Sequence, residues 1–237
     1  MIGVTFALPA ESSDFLRRLS ERKRESANVV LGTLNGCNVG VLHTGVGKQT
    51  TAPRFAAFLQ QHPPRVLIST GFAGGLTEEP RPGDLLLSEN FSDPELRDIA
   101  RSVLQSFPIH SGRLDTVDRV IHSSGDRASH SAASGAIGAD METAHIAEAC
   151  TAISLPMLSL RVISDTPHAP FPAAPELLFN IAAQRTNRRR LLLYLGRHPG
   201  EIGRFLAFGR QVANARRVLT DALCSVIADD TFARSPS

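Results

Sequence analysis

Apolar residues along this chain follow two alternating rhythms. Short runs, Ile2 to Ala7, Arg65 to Thr70, Asp84 to Glu89 and Met157 to Ile163, are dense in aliphatic side chains and bounded by turn residues. They predict strands, and the last is apolar enough for a central strand covered on both faces. Between them, Pro9 to Leu19, Gln49 to Gln61, Pro94 to Phe107 and Thr143 to Thr151 space their apolar positions by three and four, which predicts helices. Val29 to Leu34 and Asn38 to Thr44 flank Asn35-Gly36, a strong hairpin signal. Between Phe91 and His130 the pattern weakens, and Ser123 to Ser134, rich in Ser, Ala and Gly, is expected to be a loop. Two helical segments close the chain, Ala174 to Leu195 and Gly200 to Ile227. In the second, Ile202, Phe205, Leu206, Val212, Leu219, Leu223 and Val226 form one stripe.

This alternation predicts an α/β fold: one domain with a twisted, mostly parallel central sheet flanked by helices, plus a helical C-terminal extension. Residues 1–173 form the α/β body, 174–230 the helical segments and basic extension, and 231–237 a frayed tail.

Carboxylates then fall at the ends of predicted elements. Pro156 opens the central strand, and Ser164-Asp165 ends it at the edge where α/β sheets bind ligands. Asp140-Met141-Glu142 leads into the helix that Thr143 is expected to N-cap, so a second acid reaches the same rim. Glu11 lies in the first turn of the helix after the first strand, where a carboxylate can merely complement the helix dipole. Arg161, inside the central strand, is expected to be a buried pairing residue.

Two glycine loops need separate readings. Thr44-Gly45-Val46-Gly47-Lys48-Gln49 is not a P-loop, because Leu42 stands at the first glycine and Gln49 at the Ser/Thr. Its backbone can still offer N–H groups at a helix start. Thr70-Gly71-Phe72-Ala73-Gly74-Gly75-Leu76 lacks the dinucleotide spacing, and is expected to be a loop approached closely by a ligand.

Composition changes this picture little. With 237 residues, 42% hydrophobic and 20% charged, the chain suits a soluble globular domain. A net charge of +2 argues against a nucleic-acid binder. Cys37, Cys150 and Cys224 show no metal or disulfide pattern, and His122 and His130 read as surface or loop histidines, so no metal is expected. The absence of a signal-like start and of a long apolar run points to the cytoplasm. Arg188, Arg189, Arg190, Arg197, Arg204, Arg210, Arg216 and Arg217 crowd the C-terminal segments. They form either a solvated packing face or a peripheral contact with anionic lipid.

The ordered set Gly3-Val4-Thr5-Phe6-Ala7-Leu8-Pro9-Ala10-Glu11, Thr44 to Lys48, Thr70 to Leu76, Gly83-Asp84, Asp140 to Thr143 and Arg161 to Asp165 resembles the nucleoside phosphorylase/nucleosidase superfamily. It is most similar to the methylthioadenosine/S-adenosylhomocysteine nucleosidases and the hopanoid-associated phosphorylases. The resemblance implies cleavage of a purine nucleoside's N-glycosidic bond through an oxocarbenium-like sugar, with no cofactor and a homodimeric or larger assembly. It implies that Asp165 protonates purine N7, that Glu142 accepts the ribose hydroxyls over Met141, and that Glu11 activates water. Thr44, Gly45, Phe72, Ala73, Gly74 and Ser164 would complete the substrate site. A buried carboxyl suits the first role and a nearby carboxylate the others.

The chain departs from the phosphorylases of the hexameric branch, which place an arginine before the glycine loop and a serine within it. Here those positions are Ser69 and Phe72. The first loop, Leu8-Pro9-Ala10-Glu11, also lacks their phosphate signature. Hydrolysis is the expected reaction. Phosphorolysis with phosphate as co-substrate, of adenosylhopane for instance, and a non-catalytic nucleoside-binding module stand as alternatives. The purine-stacking phenylalanine of the nucleosidases has no counterpart near Ser124-Gly125-Asp126-Arg127.

Overall fold

The computed structural model describes residues 1–170, 179–180, 185–186, 193–194 and 197–234. In chain order its elements are β1 (Ile2–Phe6), α1 (Pro9–Arg18), β2 (Ser20–Arg24), β3 (Val29–Leu34), β4 (Cys37–His43) and α2 (Lys48–Gln61). Next come β5 (Val66–Gly75), β6 (Leu85–Ser88), α3 (Pro94–Val103), β7 (Ile109–Thr116), α4 (Ser124–Ser134) and β8 (Ala136–Asp140). They are followed by α5 (Thr143–Ala152), β9 (Met157–Asp165), the short pair β10 (Phe179–Asn180) and β11 (Arg185–Thr186), α6 (Ile202–Ala228) and α7 (Asp230–Arg234).

The sheet runs β2-β3-β4-β1-β5-β8-β7-β6-β9, and β9 returns to pair with β5. Thus β5, β8, β7, β6 and β9 close a ring, while β4, β1, β5 and β9 form a parallel face. The pairings β2–β3, β3–β4, β5–β8 and β6–β9 are antiparallel, so the sheet is mixed. Ring closure satisfies the backbone edges of these strands without further cover. It also explains why every residue of β9 is buried.

Side-chain alternation sorts the core into three parts. Ala73, Leu86, Leu114 and Ile163, from β5, β6, β7 and β9, meet inside the ring. Their neighbours Leu85, Leu87, Leu160 and Val162 point outward into the larger core, with Phe15 of α1, Leu96 of α3 and Leu219 and Leu223 of α6. Phe55 and Phe58 of α2 and Ile146 and Cys150 of α5 pack with Leu42, Leu67 and Met157 in another core cluster. Truncating one of these leucines to alanine costs about 2–5 kcal/mol.

Several expectations need correction. The glycine stretch after Thr70 is not a loop but the second half of β5, which pairs with β9 from Gly71↔Arg161 to Gly74↔Asp165. Ser123 to Ser134 is helical: Ser123 Oγ accepts the Asp126 N–H at 3.0 Å, and Gly135 ends the helix at φ 69°. Thr143 is the first residue of α5 rather than its cap, because the Asp140 carboxylate accepts its N–H at 3.3 Å. The strands β2, β7 and β8 had no clear signal; β2 is exposed throughout, and β7 and β8 are short or polar.

The expected helix Ala174 to Leu195 is not continuous: within it Phe179–Asn180 and Arg185–Thr186 pair as antiparallel strands, while Arg188, Arg189 and Arg190 lie outside the described residues. The tail expected to fray from Thr231 is helical as far as Arg234, with Phe232 fully buried. The α6 helix is present and partly neutralised. Arg216 Nε lies 2.9 Å from Asp14, and Arg18 of α1 pairs with Asp221 at 2.9 Å. These contacts clamp α6 to α1 behind the carboxyl edge of the sheet. Among the described residues no helix is long and apolar enough to cross a membrane.

Candidate active site

Strand register gathers the acids on one rim. The ends of β1, β4, β5 and β9 lie side by side, since β1 and β4 pair Phe6 with His43, and β5 and β9 pair Gly74 with Asp165. The β8 strand brings Asp140 beside Thr116 of β7 and leads into Met141 and Glu142. All ten expected site residues lie on or next to this rim. Ala73 is the partial exception, because its side chain fills the ring interior and only its backbone can face a ligand.

Glu11 is 7% exposed and serves two purposes. Its Oε2 accepts the Leu8 N–H at 3.1 Å, which closes the first turn of α1. Its carboxylate also reaches over Gly71. A Cβ there would stand 2.8 Å from Arg161 Nη1 and 3.1 Å from Glu11 Oε2, and φ is 139°. A glycine is needed there for both reasons, and its bareness lets the arginine and glutamate converge. Burial raises the Glu11 pKa, while the Leu8 N–H, Arg161 and the N–H groups of Phe72 and Ala7 restrain it.

Glu142 is equally buried, and its Oε1 accepts the Gly47 N–H at 3.1 Å. Gly47, at φ 79°, N-caps α2, so the glycine loop does offer an N–H at a helix start, to a carboxylate of the same chain. Burial, then the Asp140 carboxylate, push Glu142 up to about 8; Glu11 adds to the rise, while Arg161 and Gly47 oppose it. Three carboxylates thus share one arginine. Arg161 lies 2.9 Å from Asp140 and donates from Nη2 to Ser69 Oγ at 2.9 Å and to Thr143 Oγ1. It is a buried pairing residue, as expected, but the pairing spans the candidate site itself.

Asp165 differs. Its Oδ1 accepts the Ser164 hydroxyl at 2.6 Å, and its Oδ2 accepts Arg127 Nη2 in a buried ion pair. Gln211 of α6 donates to the Ser164 carbonyl at 2.7 Å, fixing the end of β9 from behind. Arg127 was missed by sequence reasoning, because its segment read as a loop. The signals that reveal its helix are Ser123 with Asp126 three residues on, and Gly135 at the end. A second missed contact joins Ser12 Oγ and His43 Nε2 at 2.7 Å, tying α1 to the end of β4. Burial, with Arg24 and Arg54, lowers His43 to about 4 and keeps the ring neutral.

The remaining expected residues frame this centre. Thr44 turns its hydroxyl inward to the carbonyls of Phe6 (3.3 Å) and Gly45 (3.0 Å), while the Gly45 N–H donates to Ala7 O at 3.0 Å. Met141 and Phe72 are half-buried beside the acids. Among the described residues no His, Cys, Asp and Glu cluster could hold a metal ion.

The family model of the phosphorylase superfamily matches residues 1–93 and 86–195. The chain belongs to that superfamily, a class of enzymes. It is 28% identical to the 5'-methylthioadenosine/S-adenosylhomocysteine nucleosidase of Haemophilus influenzae (strain PittGG), over 69% of this chain and 85% of the relative. Identity with the nucleosidase of the same name from Exiguobacterium sp. is 26%, over 70% and 84%. The fold matches that of the Neisseria meningitidis nucleosidase in complex with methylthio-immucillin-A, with a TM-score of 0.73, 18% identity, and 96% and 98% of the two chains covered. The futalosine hydrolase of Helicobacter pylori strain 26695 also matches, with a TM-score of 0.71, 16% identity, and 95% and 96% covered.

Proposed function

We propose that this enzyme cleaves the N-glycosidic bond of an adenosine-type purine nucleoside by hydrolysis. The observation that carries the reading is Glu11, buried beside Arg161 over Gly71, where burial raises its pKa above the ordinary carboxylate value. A carboxylate so placed is a competent base for water and a poor neighbour for phosphate. At 4 Å and an effective dielectric of 20, two like charges repel by about 4 kcal/mol. Ser69, at the position of the phosphorylase arginine, has its hydroxyl engaged by Arg161.

In this mechanism a water between Glu11 and C1′ gives its proton to Glu11 and its oxygen to the sugar. Glu142 accepts the ribose hydroxyls while Met141 packs against the sugar. Two O–H donors favour the charged form of a carboxylate that burial disfavours, so ribose binding and Glu142 ionisation are coupled. Asp165 faces the departing base. The names of the relatives, which are nucleosidases and a hydrolase, support this choice. Release of free base from a panel of 5′-substituted adenosines and inosines tests it. Glu11→Gln should suppress that release at least 100-fold, and unchanged release would remove Glu11 from the base role.

We also propose peripheral contact with anionic lipid through the start of α6. There Ile202 and Leu206 are exposed at 42% and 58%, beside the basic side chains Arg204 and Arg210.

A further inference from the structure

The side of the site that faces the leaving base holds a buried cation with no role so far. Arg127 is 2% exposed, and its donors are distributed over three walls. Nε donates to the Ile121 carbonyl at 3.0 Å, Nη1 to the Gly75 carbonyl at 2.8 Å, and Nη2 to Asp165 Oδ2. One guanidinium therefore ties the segment before α4, the end of β5 and the terminal acid of β9. Nη1 and Asp165 Oδ2 would both lie 3.6 Å from a Cβ at Gly74, so the pair sits against bare backbone at the rim.

We propose that Arg127 is a positioning residue that makes Asp165 effective toward the base. The inference rests on the reading of this site as one that releases a purine. A buried acid that gives up its proton leaves a carboxylate in a poorly solvated place, which opposes the transfer. Arg127 meets that carboxylate with a charge-assisted hydrogen bond and holds it in register with Gly74 and Gly75. In the balanced step, the C1′–N9 bond breaks and its electron pair enters the purine. A proton moves from the Asp165 carboxyl to N7, and the resulting carboxylate pairs with Arg127. The nucleophilic water passes its proton to Glu11, Glu11 returns one proton to solvent, and Asp165 takes one from solvent before the next turnover. Arg127 itself exchanges no proton. Its carbonyl partners, Ile121 and Gly75, fix the guanidinium so that it cannot follow the base out of the site.

The test is a double-mutant cycle on the full-length enzyme, with kcat and KM measured for the best nucleoside of the panel. Arg127→Met should lower kcat at least 30-fold with KM changed less than threefold, because the loss falls on the chemical step. Arg127→Lys, which keeps the charge but not the three-way fork, should recover at least fivefold over Arg127→Met. Asp165→Asn should lose at least 100-fold, and adding Arg127→Met to it should cost no more than a further threefold. A kcat for Arg127→Met within threefold of the parent overturns the proposal. So do losses that multiply in the double variant, since those describe two independent structural defects. A parent that cleaves no nucleoside defeats the functional reading instead. The tether then keeps its own check: amide exchange across residues 119–122 should be at least tenfold faster in Arg127→Met, and equal exchange would contradict it.

Discussion

The two sides of the rim solve opposite electrostatic problems. On the side proposed to hold the sugar, hereafter the sugar side, Glu11, Asp140 and Glu142 crowd around Arg161, and burial raises Glu11 and Glu142. On the side proposed to face the base, hereafter the base side, Asp165 has its own arginine and its own hydroxyl. A surplus of buried acid is costly to fold, but it yields groups that gain charge or protons readily when substrate arrives. A matched pair is stiff, and suits an acid that must return to one geometry after every turnover. Removing a group should therefore do different things on the two sides.

The largest effects should fall on turnover. Asp165→Asn breaks the matched pair and leaves Arg127 buried without its partner, so both kcat and stability should fall. A loss of kcat of at least 100-fold, with a Tm lowered by several °C in a thermal scan, is expected. A variant that turned over normally would remove Asp165 from the chemistry.

Glu142→Gln should behave otherwise. Charged hydrogen bonds of this kind contribute about 1.5–3 kcal/mol, so kcat/KM should fall roughly 10- to 100-fold. The penalty for a 2′-deoxy substrate should largely vanish in that background, and an unchanged penalty would detach Glu142 from the sugar hydroxyls.

The same substitution should stabilise the empty enzyme at alkaline pH. Folded Glu142 keeps its proton up to about 8, whereas the unfolded chain releases it near 4.5. Between those values the folded state holds more protons, so this group lowers stability as pH rises. The Tm of Glu142→Gln minus that of the parent should therefore grow from pH 5 to pH 9, reaching a few °C. His43 has the opposite slope. Its folded value of about 4 lies below the usual 6.5, so its burial costs stability as pH falls through that interval. A flat Tm difference for Glu142→Gln would show that the sugar-side acids are better compensated than their packing indicates.

The sugar side was also the legible side. Glu11 follows a clear strand signal, Met141 and Glu142 lead into a clear helix signal, and their neighbours Thr44 and Gly45 close a hairpin with an unambiguous Asn-Gly turn. On the base side Ser164 and Asp165, at the end of an apolar run, could be read, and Gly74 as a residue close to a ligand, though in a loop and not in a strand. Arg127 was hidden because Ser, Ala and Gly outweighed its capping signals, and its partner lies 38 residues away. The closed ring was equally hidden. The β9–β5 and β9–β6 pairings are tertiary choices, and periodicity reports only that β9 is covered on both faces. The strand character of Gly71 to Gly75 was missed for a related reason, since glycine suggests a loop until Arg161 and Glu11 are seen above it.

The smallest expected effect lies away from the site. Arg204→Glu with Arg210→Glu should weaken binding to anionic vesicles at low salt by about 1 kcal/mol per charge, while leaving kcat unchanged. Vesicle binding that is absent in the parent would return the start of α6 to a packing role alone.

The central claim is that the crowded sugar side activates water. The most direct measurement is to incubate enzyme and nucleoside with and without phosphate and to identify the sugar product. Free ribose derivative, formed at a rate that phosphate does not change and that Glu11→Gln suppresses, is the predicted result. A ribose 1-phosphate derivative formed at a phosphate-dependent rate would contradict it, and would mean that Arg161 serves an anion that Glu11 was expected to repel.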